Sequence, residues 1–200
     1  MKFPGKICAA IVLMSMTYSV PEEVLGWEIG THEALSVGAA QGSAIDRVAR
    51  ESLGLDKGIL SILSDNDSSL SIRGWIERGS NREDDFGFFS LRFSNHFHHP
   101  LRSPWSLAGL NDIFSGFSSG IWAQTLNQSS FTGSWSWQET RERFYRGLTS
   151  PNKADRESFL AQTFRGLGHQ IHLIQDASSV RHARNKSHLA HRFILAIRTR

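Results

Sequence analysis

The apolar positions of this chain recur at helical spacing over most of its length. Ser43 to Leu53 puts Ile45, Val48, Ala49 and Leu53 on one helical face, with Ser43 as its cap. Gly54 and Gly58 punctuate the next stretch. Ser69 to Arg78 predicts a short helix that stops at Gly79. Ser80 to Pro104 mixes turn formers, aromatics and charges and reads as a long ordered loop, a feature that in a compact domain is usually functional or disordered. Leu107 to Gln128 predicts a helix weakened by Gly116 and Gly120, and Ser136 to Leu148 another. Ser150 to Asp176 predicts the longest, with a serine cap, Pro151 in the first turn, and Ala154, Phe159, Leu160, Phe164, Leu167, Ile171 and Ile174 in register. No stretch alternates as a strand would. The expected fold is all-α, a single multi-helix domain with long ordered loops.

The N-terminus reads as a secretory signal. Lys2 and Lys6 precede a short apolar run, Ile7 to Met16, which cannot span a bilayer. Cleavage is expected after Ser19 or after Gly26, and only the second leaves Trp27 as the new terminus. The plain alternative is an uncleaved core helix. Cys8, the only cysteine, sits inside the run, so no intrachain disulfide exists and a lipid anchor after the run is not expected. This divides the chain into a leader at 1–26, a domain at 27–185 and a basic tail at 186–200, with a secreted or periplasmic location.

Charge changes the picture through its distribution. The 200 residues carry a net charge of +3, which by itself suggests an anionic partner. Through Asp176, however, 16 basic residues face 19 acids, and all six remaining basic residues lie in an acid-free stretch beyond it. The body is mildly acidic, so specific nucleic-acid recognition is not expected. Nine histidines beside one cysteine favour metal sites of nitrogen and oxygen ligands over thiolate sites.

The most informative segment is LGHQIHLIQDASSVRHARN, residues 167–185. His172 and Asp176 lie four apart on a predicted helix and share a face, flanked by Ile171, Leu173 and Ile174. A buried imidazole and carboxylate need a partner, and a metal ion supplies one. His182 follows six residues after Asp176. A structural His–Asp pair at a helix end is the equal alternative. A second segment, GSNREDDFGFFSLRFSNHFHHP, places Glu83, Asp84 and Asp85 before His96. Alone, such an acidic run is a solvated loop face. A third, WEIGTH, holds Trp27 and His32, alone a core-packing pattern.

Taken together, these segments resemble the superfamily of zinc-dependent bacterial phospholipases C and single-strand-specific nucleases. The early Trp and His, the Asp-to-His pair, His-x-x-x-Asp and a later His stand in the family's order. WIERGSNREDD, NHFHHPLRSPWSLAGL and FRGLGHQIHLIQD are similar to its uncharacterised bacterial branch. The resemblance spans Trp27 to about Asn185. It implies the zinc-dependent phospholipase C type of all-α fold and up to three zinc ions. The α-amine and carbonyl of Trp27 would bind one, with His32 beside them. Asp84 (or Asp85) and His96 would bind another with His172 and Asp176, and Asp176 would bridge two. His182 would begin the third site. Asp84 would also act as general base.

The implied activity is hydrolysis of phosphodiester bonds in phospholipid head groups by a monomer with membrane-surface contact. A secreted nuclease is the alternative. The family completes its third site with a histidine and a carboxylate downstream of His182, whereas no acid follows Asp176 here. His188 and His191 could supply nitrogen only. Two zinc sites are therefore supported, and a truncated or divergent member with little turnover is a further alternative. His98, His99 and His169 are expected to be surface or loop histidines.

Overall fold

Residues 29–66, 68–84, 92–111, 115–128 and 132–185 are described in the computed structural model. The expected leader at 1–26, Trp27, Asp85 and the basic tail at 186–200 lie outside them. The longest element, α6 (Lys153–Ser178), is the axis on which the domain is built. Against it pack α1 (Ile29–Gly42), α3 (Ile72–Glu83) and α5 (Trp137–Thr149), with a short α2 (Ile45–Glu51) at the edge. Among the described residues the domain is all-α apart from one small hairpin.

Local chemistry sets the helix starts. Ser136 caps α5 and forms a reciprocal capping box with Glu139. Asn152, not Ser150, caps α6, its side chain accepting from the Ala154 N–H. Ser71 caps α3 by accepting from the Gly74 N–H, so that helix begins three residues later than its sequence pattern suggests. It also runs past Gly79 to Glu83, because Gly79 is a packing position and not a stop. A Cβ there would stand 2.0 Å from the Arg165 carbonyl oxygen on α6.

Other expectations are corrected. Ile62–Asp65 (β1) and Ser68–Ser71 (β2) form an antiparallel hairpin, with Leu63 opposite Leu70 and a left-handed Asn66 at its turn. Only Leu63 is deeply buried there, so serines occupy the positions where an alternating apolar pattern would show. The helix predicted over 107–128 is reduced to α4 (Ser119–Trp122) and a 3-10 turn at Trp105–Leu107. Gly109 and Gly116 break it, because their backbones press on Phe117 and Ser94 respectively, with no room for a Cβ. Conversely, α1 has no counterpart in the apolar pattern, since its buried stripe is His32, Ser36 and Ala40 instead of large apolar residues.

The core gathers Leu63, Ile72, Trp75, Ile76, Leu160, Ala161 and Phe164 between the hairpin, α3 and α6. The Trp75 indole N–H donates to the Leu63 carbonyl at 2.9 Å, so burial of its ring leaves no polar atom unpaired. An apolar groove of about 290 Å³ lies between α2, α5 and α6, lined by Val48, Trp137, Phe144 and Phe164 among others. It does not reach the polar cluster around the C-terminal half of α6.

Candidate metal centre

α6 turns one polar face inward, with His169, His172 and Asp176 at i, i+3 and i+7, each 1% exposed. The expectation that Ile174 flanks a buried site fails, since it is 71% exposed and belongs to the opposite face. His32 arrives from α1 and Asp84 from the end of α3. His96 comes from just past the 3-10 turn Arg92–Asn95, and His182 from a 3-10 turn just past α6.

These residues meet around Asp176. Its Oδ1 lies 3.4 Å from His32 Nε2 and 3.4 Å from His182 Nδ1. Its Oδ2 lies 2.9 Å from His96 Nδ1 and 3.1 Å from His172 Nε2. Asp84 Oδ1 stands 3.3 Å from His96 Nδ1 and 3.6 Å from His172 Nε2. Two groups have donor atoms within 4.8 Å of one another, His32–His172–Asp176 and Asp84–His96–His172. The His32 and His172 rings stack at 3.9 Å.

Hydrogen bonds outside the cluster fix which ring atoms face into it. His172 Nδ1–H donates to the Ser80 carbonyl at 2.7 Å, and His32 Nδ1–H donates to Gln175 Oε1 at 2.6 Å. Gln175 is oriented in turn, its amide donating to Ser36 Oγ at 3.0 Å. In its neutral form, the form a metal ligand must take, each imidazole therefore presents its Nε2 lone pair toward the Asp176 carboxylate. Acceptor then faces acceptor, and neither His172 Nε2 nor Asp176 Oδ2 makes a hydrogen bond. A cation between such groups resolves the repulsion, so the donor set fits a metal ion.

The electrostatics agree. Burial penalises the Asp176 carboxylate, but the surrounding His172, His32 and His96 rings outweigh it and hold the group far below the usual carboxylate range. Burial likewise resists charge on His96, but Asp176, Asp84 and Glu83 raise its pKa well above the ordinary histidine value. Asp84 is lowered against its burial by His96 and His172. Its side chain is 28% exposed, the most open of the five residues in the two groups.

A second polar layer lies behind the first. Glu83 is completely buried, not on a solvated loop face. It pairs with the Arg92 guanidinium, accepts from the Trp122 indole N–H at 3.0 Å and from His169 Nδ1–H at 2.5 Å. The reading of His169 as a surface histidine is thereby overturned. Its ring is stacked on Trp135 at 5.0 Å, and burial with the Arg92 and Arg165 charges pushes its pKa down to about 4 despite Glu83. His98 and His99 are loop residues as expected, His98 Nδ1 lying 2.7 Å from Ser118 Oγ. Gln175, Glu83 and Arg92 carry no metal-ligand spacing, and only the burial of α3 and α6 reveals them.

Of the seven positions expected to bind metal, six lie in this cluster, and Trp27 is outside the described residues. No family model, curated protein or solved structure matches the chain.

Proposed function

We propose that this chain is a zinc-dependent hydrolase of phosphodiesters, phospholipase C-like, acting on phospholipid head groups. The observation that carries the reading is the convergence of His32, Asp84, His96, His172 and Asp176 from four separate chain segments on one buried centre. The order and spacing of these residues, which resemble the zinc-dependent phospholipase C and nuclease superfamily, support it.

In this reading Asp84, His96 and His172 with Asp176 would hold one ion, and His32 with Asp176 would supply part of a second site, since the single free lone pair of His172 serves one ion only. His182 lies against the far side of the same carboxylate. Nitrogen and carboxylate donors suit zinc as they suit iron, nickel or copper, and the resemblance favours zinc among these. Bound there, zinc would supply Lewis-acid activation of water and charge neutralisation on the phosphodiester oxygens. The chain's own residues do the rest. Ser80 and Gln175 keep the His172 and His32 rings aimed. Asp84, partly exposed and ionised at neutral pH, accepts a proton from the water whose oxygen bonds to phosphorus, the P–O bond to the leaving group breaks, and the departing oxygen takes up a proton from solvent to leave as the alcohol. Export through the segment at 1–26 belongs to the same proposal.

The test is metal analysis of the purified protein together with turnover of a chromogenic phosphocholine diester, with and without chelator. Zinc at about stoichiometric levels and chelator-sensitive turnover are expected. Absence of bound metal after refolding with zinc present would overturn the reading. Faster cleavage of single-stranded DNA than of lecithin would replace it with the nuclease alternative.

A further inference from the structure

Beside the polar centre runs a loop whose side chains face the wrong way for a soluble surface. His99 N–H donates to the Ala108 carbonyl at 2.8 Å and closes residues 99–108 into a loop. Its interior is tied by Arg102 N–H to the His99 carbonyl at 3.0 Å and by Leu107 N–H to the Pro104 carbonyl at 2.9 Å. Its base is pinned by buried Ala108 and Leu110 and by the Asn185 amide, which donates to the Ala108 and Gly109 carbonyls. A loop this well held could have turned its large apolar side chains inward. Instead Leu101 is 89% exposed, Leu107 64% and Trp105 57%. Leu101 and Leu107 flank one depression together with Arg102 and Ser103. The Trp105 ring covers Gly120 and meets the His98 ring edge-on at 5.1 Å.

We infer that this loop docks on the phospholipid–water interface, with Leu101, Trp105 and Leu107 entering it and Arg102 meeting lipid phosphate. Three observations favour lipid over a protein partner. The side chains protrude, and a fluid interface adapts to a protruding leucine whereas a protein must offer a matching pocket. A half-exposed tryptophan three residues along the same loop from an exposed arginine supplies the amphipathic chemistry of the head-group layer. Charge fits it: Arg92 is buried against Glu83, so Arg102 is the exposed cation from residue 92 to 128, and the one acid in that stretch of sequence is Asp112. The loop also adjoins the centre, since His98 N–H donates to the His182 carbonyl at 3.0 Å and His182 lies against Asp176. The meaning of the docking rests on the phosphodiesterase reading, because it would bring head groups to that centre, but the docking is measurable without it.

The experiment is cosedimentation of the full chain with phosphatidylcholine vesicles, with and without phosphatidylserine. The protein is expected to partition onto both. Leu101→Asp with Leu107→Asp should lower the partition about tenfold or more, without changing the melting temperature or bound zinc. Arg102→Glu should weaken binding to the phosphatidylserine vesicles more than to phosphatidylcholine alone. Equal partition of the double variant, or wild-type protein left in the supernatant, would overturn the inference. A wild-type dimer in ultracentrifugation that the double variant dissociates would assign the patch to a second copy and overturn it as well. A Leu101→Cys thiol shielded from reagent before vesicles are added would assign the patch to the chain's own residues and overturn it too. Turnover of the water-soluble diester separates the two proposals. Turnover without vesicle binding sinks the docking alone, and vesicle binding without turnover or bound zinc sinks the hydrolase reading alone.

Discussion

Gly79 of α3 and Gly168 of α6 let two helix backbones touch. A Cβ on Gly168 would stand 2.0 Å from the Ile76 carbonyl oxygen and 2.9 Å from the Cα of Gly79. The contact lies one turn from His172, and it is this approach that puts the Ser80 carbonyl within reach of the His172 ring.

Substitution at that contact should be costly. Gly168→Ala must spread the helices, at a cost of about 2 kcal/mol or more in stability. It should also free the His172 ring and weaken zinc binding, read by thermal melts and metal titration. A Cβ on Gly38 would meet nothing within 4 Å, so Gly38→Ala should be neutral or stabilising by up to about 1 kcal/mol. Equal effects of the two substitutions would refute the argument.

Asp176 sits between the two groups of donors, so its loss should affect both. Wild-type protein with zinc at about a hundredfold excess over its dissociation constant should gain about 2.7 kcal/mol over chelated protein. Asp176→Asn should lose most of that gain, because the amide offers one neutral oxygen where a carboxylate offered two. An undiminished zinc-dependent shift in its melting curve would exclude Asp176 as a ligand.

The pH dependence of the metal-free protein has a definite sign. His96 and His32 have raised pKa values, so their contribution is complete below about pH 6.5 and is lost as pH rises through the folded value. Asp176 is lowered, so its contribution is complete above about pH 4 and is lost as pH falls. Chelated protein should therefore be most stable between these limits, as urea titrations would show. Zinc should reverse the upper limb, because ligation needs unprotonated imidazole, and binding should release protons to the buffer.

Glu83 neutralises Arg92 in a buried place. Glu83→Gln keeps the shape and strands the guanidinium, which should lower stability by about 3 kcal/mol. Zinc content should fall less than with Asp176→Asn, since Glu83 Oε1 is 3.6 Å from His96 Nε2, whereas Asp176 meets the other ring nitrogen. Chemical denaturation with metal analysis of the same samples measures both.

How much of this is legible in the sequence depends on what each element buries. α5 and α6 declare themselves as helix-length segments, α6 through large apolar positions at helical spacing, although its cap is Asn152 and not the expected Ser150. α1 buries histidine, serine and alanine, so its stripe has no hydrophobic signature. The hairpin hides because serine fills its outer positions. Among the site residues, His172, Asp176, Asp84 and His96 follow from spacing and resemblance. Glu83 and His169 do not, because a carboxylate and an imidazole far apart in the chain look like ordinary surface groups until α3 and α6 cross. Glycine misleads in two opposite ways. At Gly79 it allows a helix to continue against a neighbour, while at Gly116 it marks a chain that leaves helical geometry altogether.

The centre draws His32 from near one end of the domain and Asp176 from near the other. A chain leaving the ribosome therefore exposes the α1 and α3 donors long before α6 exists to receive them. Until then His32, Asp84 and His96 are three loose ligands with no common geometry, able to hold metal only weakly and in the wrong arrangement. Assembly of the centre therefore waits for α6, and the buried charge on Asp176 finds the His32 and His96 rings that compensate it already synthesised, with His172 on its own helix.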